Sequence, residues 1–367
     1  MKILFLTTHF NTGGITSYIL TLAEALVAGG HEVWVASSGG NDVPRLESIG
    51  AHHVLVNIRT KSELHPKLWM SVGPLKSLIQ KEGIAVIHAQ TRVTQVLGFF
   101  LSRSTGVKMV TTCHGFFRPR WFRKAFSCWG EAVIAISKPV SLHLSRDFGV
   151  SPEKIYWIAN GINLERFVVV TPQARAQARQ KWGMDDAPWV GIIARLSDVK
   201  GIDILIKTMP LILKEIPSAH LLIAGHGPEE MTLKRLTREL QLTTYVHFKD
   251  ITNQTHELLC ALDVFVMPSL MEGLGLSVIE AQACGIPVVA SRVGGLIDLI
   301  EDGKSGYLVA VNAPPALARR IIEILRDPQV AKLMAQQARL NVEQHFSVDR
   351  MLKETLRVYN RCLTSKG

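Results

Sequence analysis

The stretch DVFVMPSLMEGLGLSVIEAQACGIPVVAS spans residues 263–291. Its two ends, 263–268 and 287–291, are short apolar runs rich in Val and without polar alternation. Such runs suit strands covered on both faces, as in a parallel sheet. Between them, Gly273 and Gly275 precede a segment that predicts a helix starting near Leu276. Strand, helix and strand in this order make the crossover unit of an α/β fold. Two carboxylates, Glu272 and Glu280, interrupt the apolar character. A carboxylate in apolar surroundings is costly unless it has a partner. Glu272 falls in the loop and Glu280 about a turn inside the helix, so the two do not form an i,i+4 pair.

The same rhythm runs outward in both directions. Strand candidates before the midpoint are 2–7, 32–37, 53–56, 85–89, 108–113, 132–137 and 154–159. After it they are 189–194, 220–225, 245–248, 263–268, 287–291 and 307–309. Helical patterns such as Ser17–Ala28 and Gly201–Lys214 lie between them. Two such series predict two doubly wound α/β domains. The boundary is expected within 168–187, a segment without a strand–helix rhythm of its own. A last helix, about Val348–Leu363, follows after the second sheet is complete. No internal repeat or low-complexity tract is evident.

A length of 367 residues, 47% hydrophobic, agrees with two cores. The N-terminal MKILFLTTHF is too short in apolar residues for a secretory leader and reads as a first strand. No run approaches the ~18 apolar residues of a membrane span. The five cysteines include no CxxC pair and lie mostly among apolar residues, which predicts buried, reduced thiols and a cytoplasmic setting. Residues 1–170 carry 18 Lys and Arg against 10 Asp and Glu, a net of +8, whereas residues 171–367 carry a net of only +2. A basic half often meets phosphates on nucleic acid, lipid or substrate.

Several motifs sit where strands end. TTHFNTGGITSYIL puts Gly13 and Gly14 in a strand-to-helix turn, with Thr16 or Ser17 as candidate cap. ARLSDVKG places Arg195 and Lys200 after an apolar strand, where open α/β sheets bind ligands. Arg offers a fork to phosphate and Lys a mobile point charge. IAGHGPEE is an incomplete dinucleotide fingerprint, and DGKSG resembles a phosphate-binding loop but precedes a strand; both read as turns. Glu280 has a plain account in the helix dipole, which leaves Glu272 unexplained. Two carboxylates also suit glycoside hydrolysis. With cations at strand ends, a ligand carrying both hydroxyls and phosphates fits better, and a nucleotide sugar is one.

These residues resemble the family 4 retaining glycosyltransferases, with their Glu-x7-Glu spacing. The segments that carry the resemblance are RLSDVKG, AGHGPE, PSLMEGLGLSVIEAQACGIPVVAS and VGGLIDLIEDGKSGYLV. TGGITSYILTLAEALVAGGHEV and ISKPVSLHLSRDFGVSPEKIYWIANGIN match in the first half, and 39–105 is looser. The resemblance implies an α/β fold of GT-B type, with two Rossmann-like domains facing across a cleft. Residues 1–168 would form the acceptor-side domain and 169–347 the nucleotide-sugar domain, with a C-terminal helix in 348–367 crossing back to the first. It further implies Glu280 at the ribose, Glu272 at the donor sugar, and amides of Gly273, Leu274, Gly275 and Leu276 at sugar and phosphate. Arg195 and Lys200 match the diphosphate pair, His114 the histidine beside the sugar, and Gly13 and Gly14 the loop beneath the phosphates. Asn160 and Gly161 match a turn near the hinge. Asp250 stands where the family often has Gly, close to the base.

The expectation is therefore a glycosyltransferase without cofactor or metal, because no Asp-x-Asp motif is present. Its partners would be a nucleotide-sugar donor and a glycan or lipid-linked acceptor. Other readings are an epimerase or phosphorylase of the same fold, a noncatalytic sugar-nucleotide-binding subunit, and a nucleic-acid binder, for which no motif exists. Within 116–129, Arg118, Arg120, Arg123 and Lys124 alternate with Phe116, Phe117, Trp121, Phe122, Phe126 and Trp129. That suits either a basic helix packed on the first domain or peripheral attachment to an anionic membrane, on the inner face of the plasma membrane.

Overall fold

A computed structural model of the chain describes residues 1–60, 62–63, 65–119, 126–250 and 255–364. Each apolar run becomes a strand, to within two residues at either end. The first seven are β1 (Lys2–Leu6), β2 (Glu32–Ser37), β3 (His52–Leu55), β4 (Val86–Ala89), β5 (Lys108–Cys113), β6 (Ala132–Ala135) and β7 (Ile155–Trp157). The next six are β8 (Trp189–Ile193), β9 (His220–Ala224), β10 (Val246–Lys249), β11 (Val264–Met267), β12 (Val288–Ser291) and β13 (Tyr307–Val309). They form two sheets, ordered β3-β2-β1-β4-β5-β6-β7 and β10-β9-β8-β11-β12-β13. All named pairings are parallel; Ile3, for example, lies opposite Val33 on one side and Val86 on the other. Every residue of β4, β6, β8, β11 and β12 is buried, as strands covered on both faces require.

The strand order reverses once in each sheet, between β1 and β4 and between β8 and β11. Open α/β sheets take their ligands outside the carboxyl ends of the strands at that reversal. The loops after β1 and β4 carry Gly13 and Gln90, and those after β8 and β11 carry Arg195 and Glu272.

The chain divides into one unit of Met1–Gly161 with Val348–Gly367, and a second of Ile162–Ser347. The boundary thus lies at 161/162 and not at 168/169. Residues 162–167 are held by the second unit: the Ile162 N–H donates to the Phe346 carbonyl at 2.8 Å, and Arg339 Nη1 to the Phe167 carbonyl at 2.7 Å. The segment 168–187 also has more structure than its sequence suggests. It contains the helix Pro172–Trp182, capped by the Thr171 side chain and with proline in its first turn. Arg179 anchors that helix to the Asp263 carboxylate at 2.7 Å and the Ala261 carbonyl at 3.1 Å.

The helix after β1 runs Gly14–Ala28 and starts from Gly13 without a side-chain cap. Neither Thr16 nor Ser17 caps it; both lie inside, and Thr16 Oγ1 donates back to the Asn11 carbonyl at 2.6 Å. The final helix, Val348–Thr364, returns to the first unit and packs on Gly14–Ala28 and β5. Its buried residues Met351, Thr355, Val358, Tyr359 and Cys362 recur at helical spacing, and all but Thr355 join Tyr18, Leu22 and Leu26 in one core. Burying each large apolar side chain contributes roughly 1.5–3 kcal/mol, which seats the helix firmly.

Candidate active site

In the second unit, the loops after β8 and β11 are tied together. The Val199 carbonyl accepts from the Leu270 N–H at 2.8 Å and the Met271 N–H at 3.4 Å. Gly201 makes this approach possible: its φ is +62°, and a Cβ there would lie 2.1 Å from the Pro268 carbonyl oxygen. The consequence is a direct ion pair. Lys200 Nζ donates to Glu272 Oε2 at 2.6 Å, with the side chains 21% and 11% exposed. Ser269 Oγ donates to the same oxygen at 3.3 Å. The loop has a second support in Gly294, φ +52°, where a Cβ would fall 1.9 Å from the Glu272 carbonyl oxygen. The Gly295 N–H donates to that carbonyl at 3.1 Å.

Arg195, two positions beyond β8, is exposed and has no side-chain partner among the described residues. It is thus a cation free to take an anion, whereas Lys200 already holds a carboxylate. The helix Leu276–Ala283 begins at Gly275 with no side-chain cap and no acid in its first turn, so its leading amides are uncapped. The Leu274 side chain is buried, 2% exposed, and only its backbone is left to meet a ligand, as at Gly273. Glu280, inside this helix, is half-buried as a residue, but burial of its carboxyl pushes the pKa up to about 7, against the opposing pull of Arg166. Asp250 lies 3.5 Å from His226 Nδ1 with both side chains exposed, and 251–254 lie outside the described residues.

In the first unit, the loop before Gly14–Ala28 is fixed by the 39–42 loop. The Thr12 N–H donates to Asn41 Oδ1 at 2.9 Å, and Asn41 Nδ2 to Thr12 Oγ1 at 3.0 Å. The space beside Gly13 is open, its nearest neighbour being the Asn11 carbonyl oxygen at 3.9 Å. His114 follows β5. Its Nε2 meets Gln90 Oε1 at 2.8 Å, and the Tyr18 ring packs edge-on at 4.9 Å. Burial pushes its pKa down to about 3, so the imidazole is neutral. Nε2–H donates to Gln90, and Nδ1 is left as an acceptor without a side-chain partner among the described residues. Asn160 is buried at the unit boundary, and the Gly161 N–H points at Met351 Sδ at 3.1 Å.

The structure therefore brings Lys200 and Glu272 into contact, and leaves Arg195 exposed in the same region. Within the first unit it brings His114 to Gln90 and Tyr18. Gln90, Tyr18, Ser269, Gly294 and Gly295 were given no role from sequence. The paired glycines at 294–295 were the one visible signal. In the 116–129 segment, Arg120, Trp121, Phe122, Arg123 and Lys124 lie outside the described residues. The Phe117 N–H donates to His143 Nε2 at 3.0 Å, Trp129 is buried and Phe126 is 69% exposed. All five cysteines are buried and free. Among the described residues, no helix is long and apolar enough to cross a membrane. Nor is any group of three His, Cys, Asp or Glu placed to hold a metal ion among them.

Comparison with known proteins finds two family matches, end to end along the chain. Residues 12–166 match Glycosyltransferase Family 4, and residues 174–341 match Glycosyl transferases group 1. An uncharacterized glycosyltransferase of Methanocaldococcus jannaschii is 30% identical over 100% of both chains. A GDP-mannose-dependent alpha-(1-6)-phosphatidylinositol monomannoside mannosyltransferase of Mycolicibacterium smegmatis is 29% identical over 92% of this chain and 91% of its own. The crystal structure of Anabaena HepE with UDP and glucose superposes with a TM-score of 0.88, over 98% of this chain and 100% of that one, at 23% identity.

Proposed function

The chain belongs to the family 4 glycosyltransferases, and from that membership we propose that it transfers a sugar, with retention, from a nucleoside-diphosphate sugar to a hydroxyl acceptor. The acceptor we propose is a lipid-linked or cell-envelope glycan. The observation that carries the donor half is the Lys200–Glu272 pair beside an exposed Arg195, at the reversal point of the second sheet. Cations for a diphosphate and a carboxylate for sugar hydroxyls stand side by side there. The mycobacterial relative, named for a phosphatidylinositol acceptor, supports the lipid-linked half.

Each residue has a role that its surroundings support. Arg195 takes the diphosphate, with Lys200 beside it. Lys200 also holds Glu272 in place, so the carboxylate faces the donor sugar already oriented. The uncapped amides at Leu276 add partial positive charge where the phosphate charge grows as the glycosidic bond breaks. Amides of Gly273 to Gly275 line the same approach. Glu280 accepts from the ribose hydroxyls. In the first unit, the room beside Gly13 and Gly14 admits phosphate oxygens, and His114 Nδ1 accepts from a sugar hydroxyl. His114 is no acid or base at neutral pH, because burial keeps it neutral. No protein nucleophile is assigned. The leaving phosphate takes the acceptor's proton as the new bond forms on the same face. The cationic residues supply the charge neutralisation, so no divalent ion is required.

The test is thermal shift against UDP, GDP, ADP and their sugars, since a ligand that binds only the folded state raises Tm. One nucleotide should raise Tm of the wild type, and Arg195→Ala and Glu280→Ala should abolish that rise. Glu272→Gln should keep the rise but lose turnover, and turnover of the wild type should survive EDTA. A wild type that responds to no nucleotide sinks the proposal.

A further inference from the structure

The first unit contains a buried polar chain that no hydrophobic core needs. His88 sits on β4, fully buried. Its Nδ1 meets the Tyr359 hydroxyl at 2.7 Å and its Nε2 meets Thr112 Oγ1 at 2.7 Å. Thr112 Oγ1 continues to the Tyr18 hydroxyl at 3.3 Å. The Tyr18 ring then packs on His114, 4.9 Å between centroids and 73° between planes. A second route leaves the same residue: the His88 carbonyl accepts from Gln90 Nε2 at 3.5 Å, and Gln90 Oε1 faces His114 Nε2 at 2.8 Å. Both routes end on one imidazole. Tyr359 belongs to the final helix, 271 positions from His88 along the chain.

Counting protons allows two directions for this chain of hydrogen bonds. Burial, with His114 nearby, pushes His88 down to about 3, so its ring is neutral, with one donor and one acceptor. If Tyr359 donates to Nδ1, then Nε2–H donates to Thr112, Thr112 donates to Tyr18, and the spare hydroxyl proton sits on Tyr18 beside His114. The opposite direction puts that proton on Tyr359; the two tyrosines are 2% and 0% exposed, and neither hydroxyl has a further side-chain partner among the described residues, so either direction leaves one hydroxyl proton at an end of the chain. A buried hydrogen-bonded network of this kind fixes geometry more sharply than apolar packing does.

We propose that Tyr359 is a positioning residue for His114: the seated final helix orients the imidazole through His88, Thr112 and Tyr18. The role rests on the proposed function, in which His114 meets the donor. The histidine is thereby set by the last helix of the chain as well as by its own strand.

Tyr359→Phe in the full chain keeps the ring and removes only the hydroxyl. Val358→Ala, a core truncation next to it that touches no hydrogen bond, is the control for plain destabilisation. The readouts are 15N-histidine spectra, and kcat and KM for hydrolysis of UDP-glucose or GDP-mannose. Tyr359→Phe should shift the His88 and His114 nitrogen signals and lower kcat about fivefold or more, with KM little changed. Val358→Ala should lower Tm and leave the His114 signals in place. Unmoved His114 signals in Tyr359→Phe, or the same shift in Val358→Ala, overturn the coupling. His114→Ala separates the two readings. If it turns over as wild type, the proposed role of His114 falls, and the nitrogen signals of Tyr359→Phe alone decide the coupling. If it is impaired while Tyr359→Phe is silent, only the coupling falls.

Discussion

Glu272 and Glu280 differ by what surrounds each carboxyl. Glu272 has a cation at 2.6 Å and a hydroxyl at 3.3 Å, so its charge is matched. Glu280 is lifted by burial against the opposing pull of Arg166, and its pKa rises to about 7. The sign follows. The folded state holds the Glu280 proton to higher pH than the unfolded chain, so this group's contribution to stability is full below about pH 4.5 and declines as pH rises through about 7. Ligand binding runs the other way. A carboxylate accepts from two ribose hydroxyls, whereas the protonated acid has lost half of that capacity. Nucleotide affinity should therefore rise with pH between 6 and 8, by up to about tenfold per unit below the pKa. Isothermal titration calorimetry across that range should show the rise in wild type and a flat profile in Glu280→Gln. A flat wild-type profile would remove Glu280 from the ribose.

At the scale of elements, the placement of the Glu272 loop depends on a neighbouring turn with no functional side chain of its own. Gly294 combines a positive φ with a Cβ position 1.9 Å from the Glu272 carbonyl oxygen. Gly303 has φ +78° but nothing within 4 Å of its Cβ position. The pair separates backbone strain from steric collision. Gly303→Ala should cost about 1–2 kcal/mol from the left-handed conformation alone. Gly294→Ala should cost more than that and displace the loop that carries Glu272, so turnover should fall with stability. Urea titration and donor hydrolysis on both variants decide it; equal effects would show that the close approach does not matter.

The whole molecule divides its charge unevenly, +8 in residues 1–170 against +2 in the remainder. The 116–129 segment concentrates part of that excess, and its described ends carry Arg118 and Phe126 exposed. Cations near an anionic surface contribute about 1 kcal/mol each, and screening by salt weakens them. Binding to anionic vesicles at low salt is expected, with none to neutral vesicles. Replacing Arg118, Arg120, Arg123 and Lys124 by Ser should abolish it and leave the nucleotide-induced rise in Tm unchanged. A wild type that floats free of anionic vesicles would make the segment structural and the acceptor soluble.

The thirteen strands among the described residues were legible in the sequence, the inner ones because strands covered on both faces must be continuously apolar, and that pattern is local; the edge strands β3, β7 and β10 are only partly buried. The helix at Leu276 and the final helix were legible for the same reason, one from its glycine start and the other from its apolar spacing. The helix Pro172–Trp182 was not. Its sequence is polar, and Asp263 and the Ala261 carbonyl, distant in the chain, hold it. Arg195, Lys200, Glu272 and Glu280 stood out as charges at the ends or within apolar runs, and the order of the strands explains why those ends matter. That Lys200 pairs with Glu272, that burial lifts the Glu280 carboxyl against the pull of Arg166, and that Tyr359 reaches His88 were decided by tertiary structure alone. Each depends on which side chains distant segments bring within reach. Propensity and periodicity carry no information about that distance.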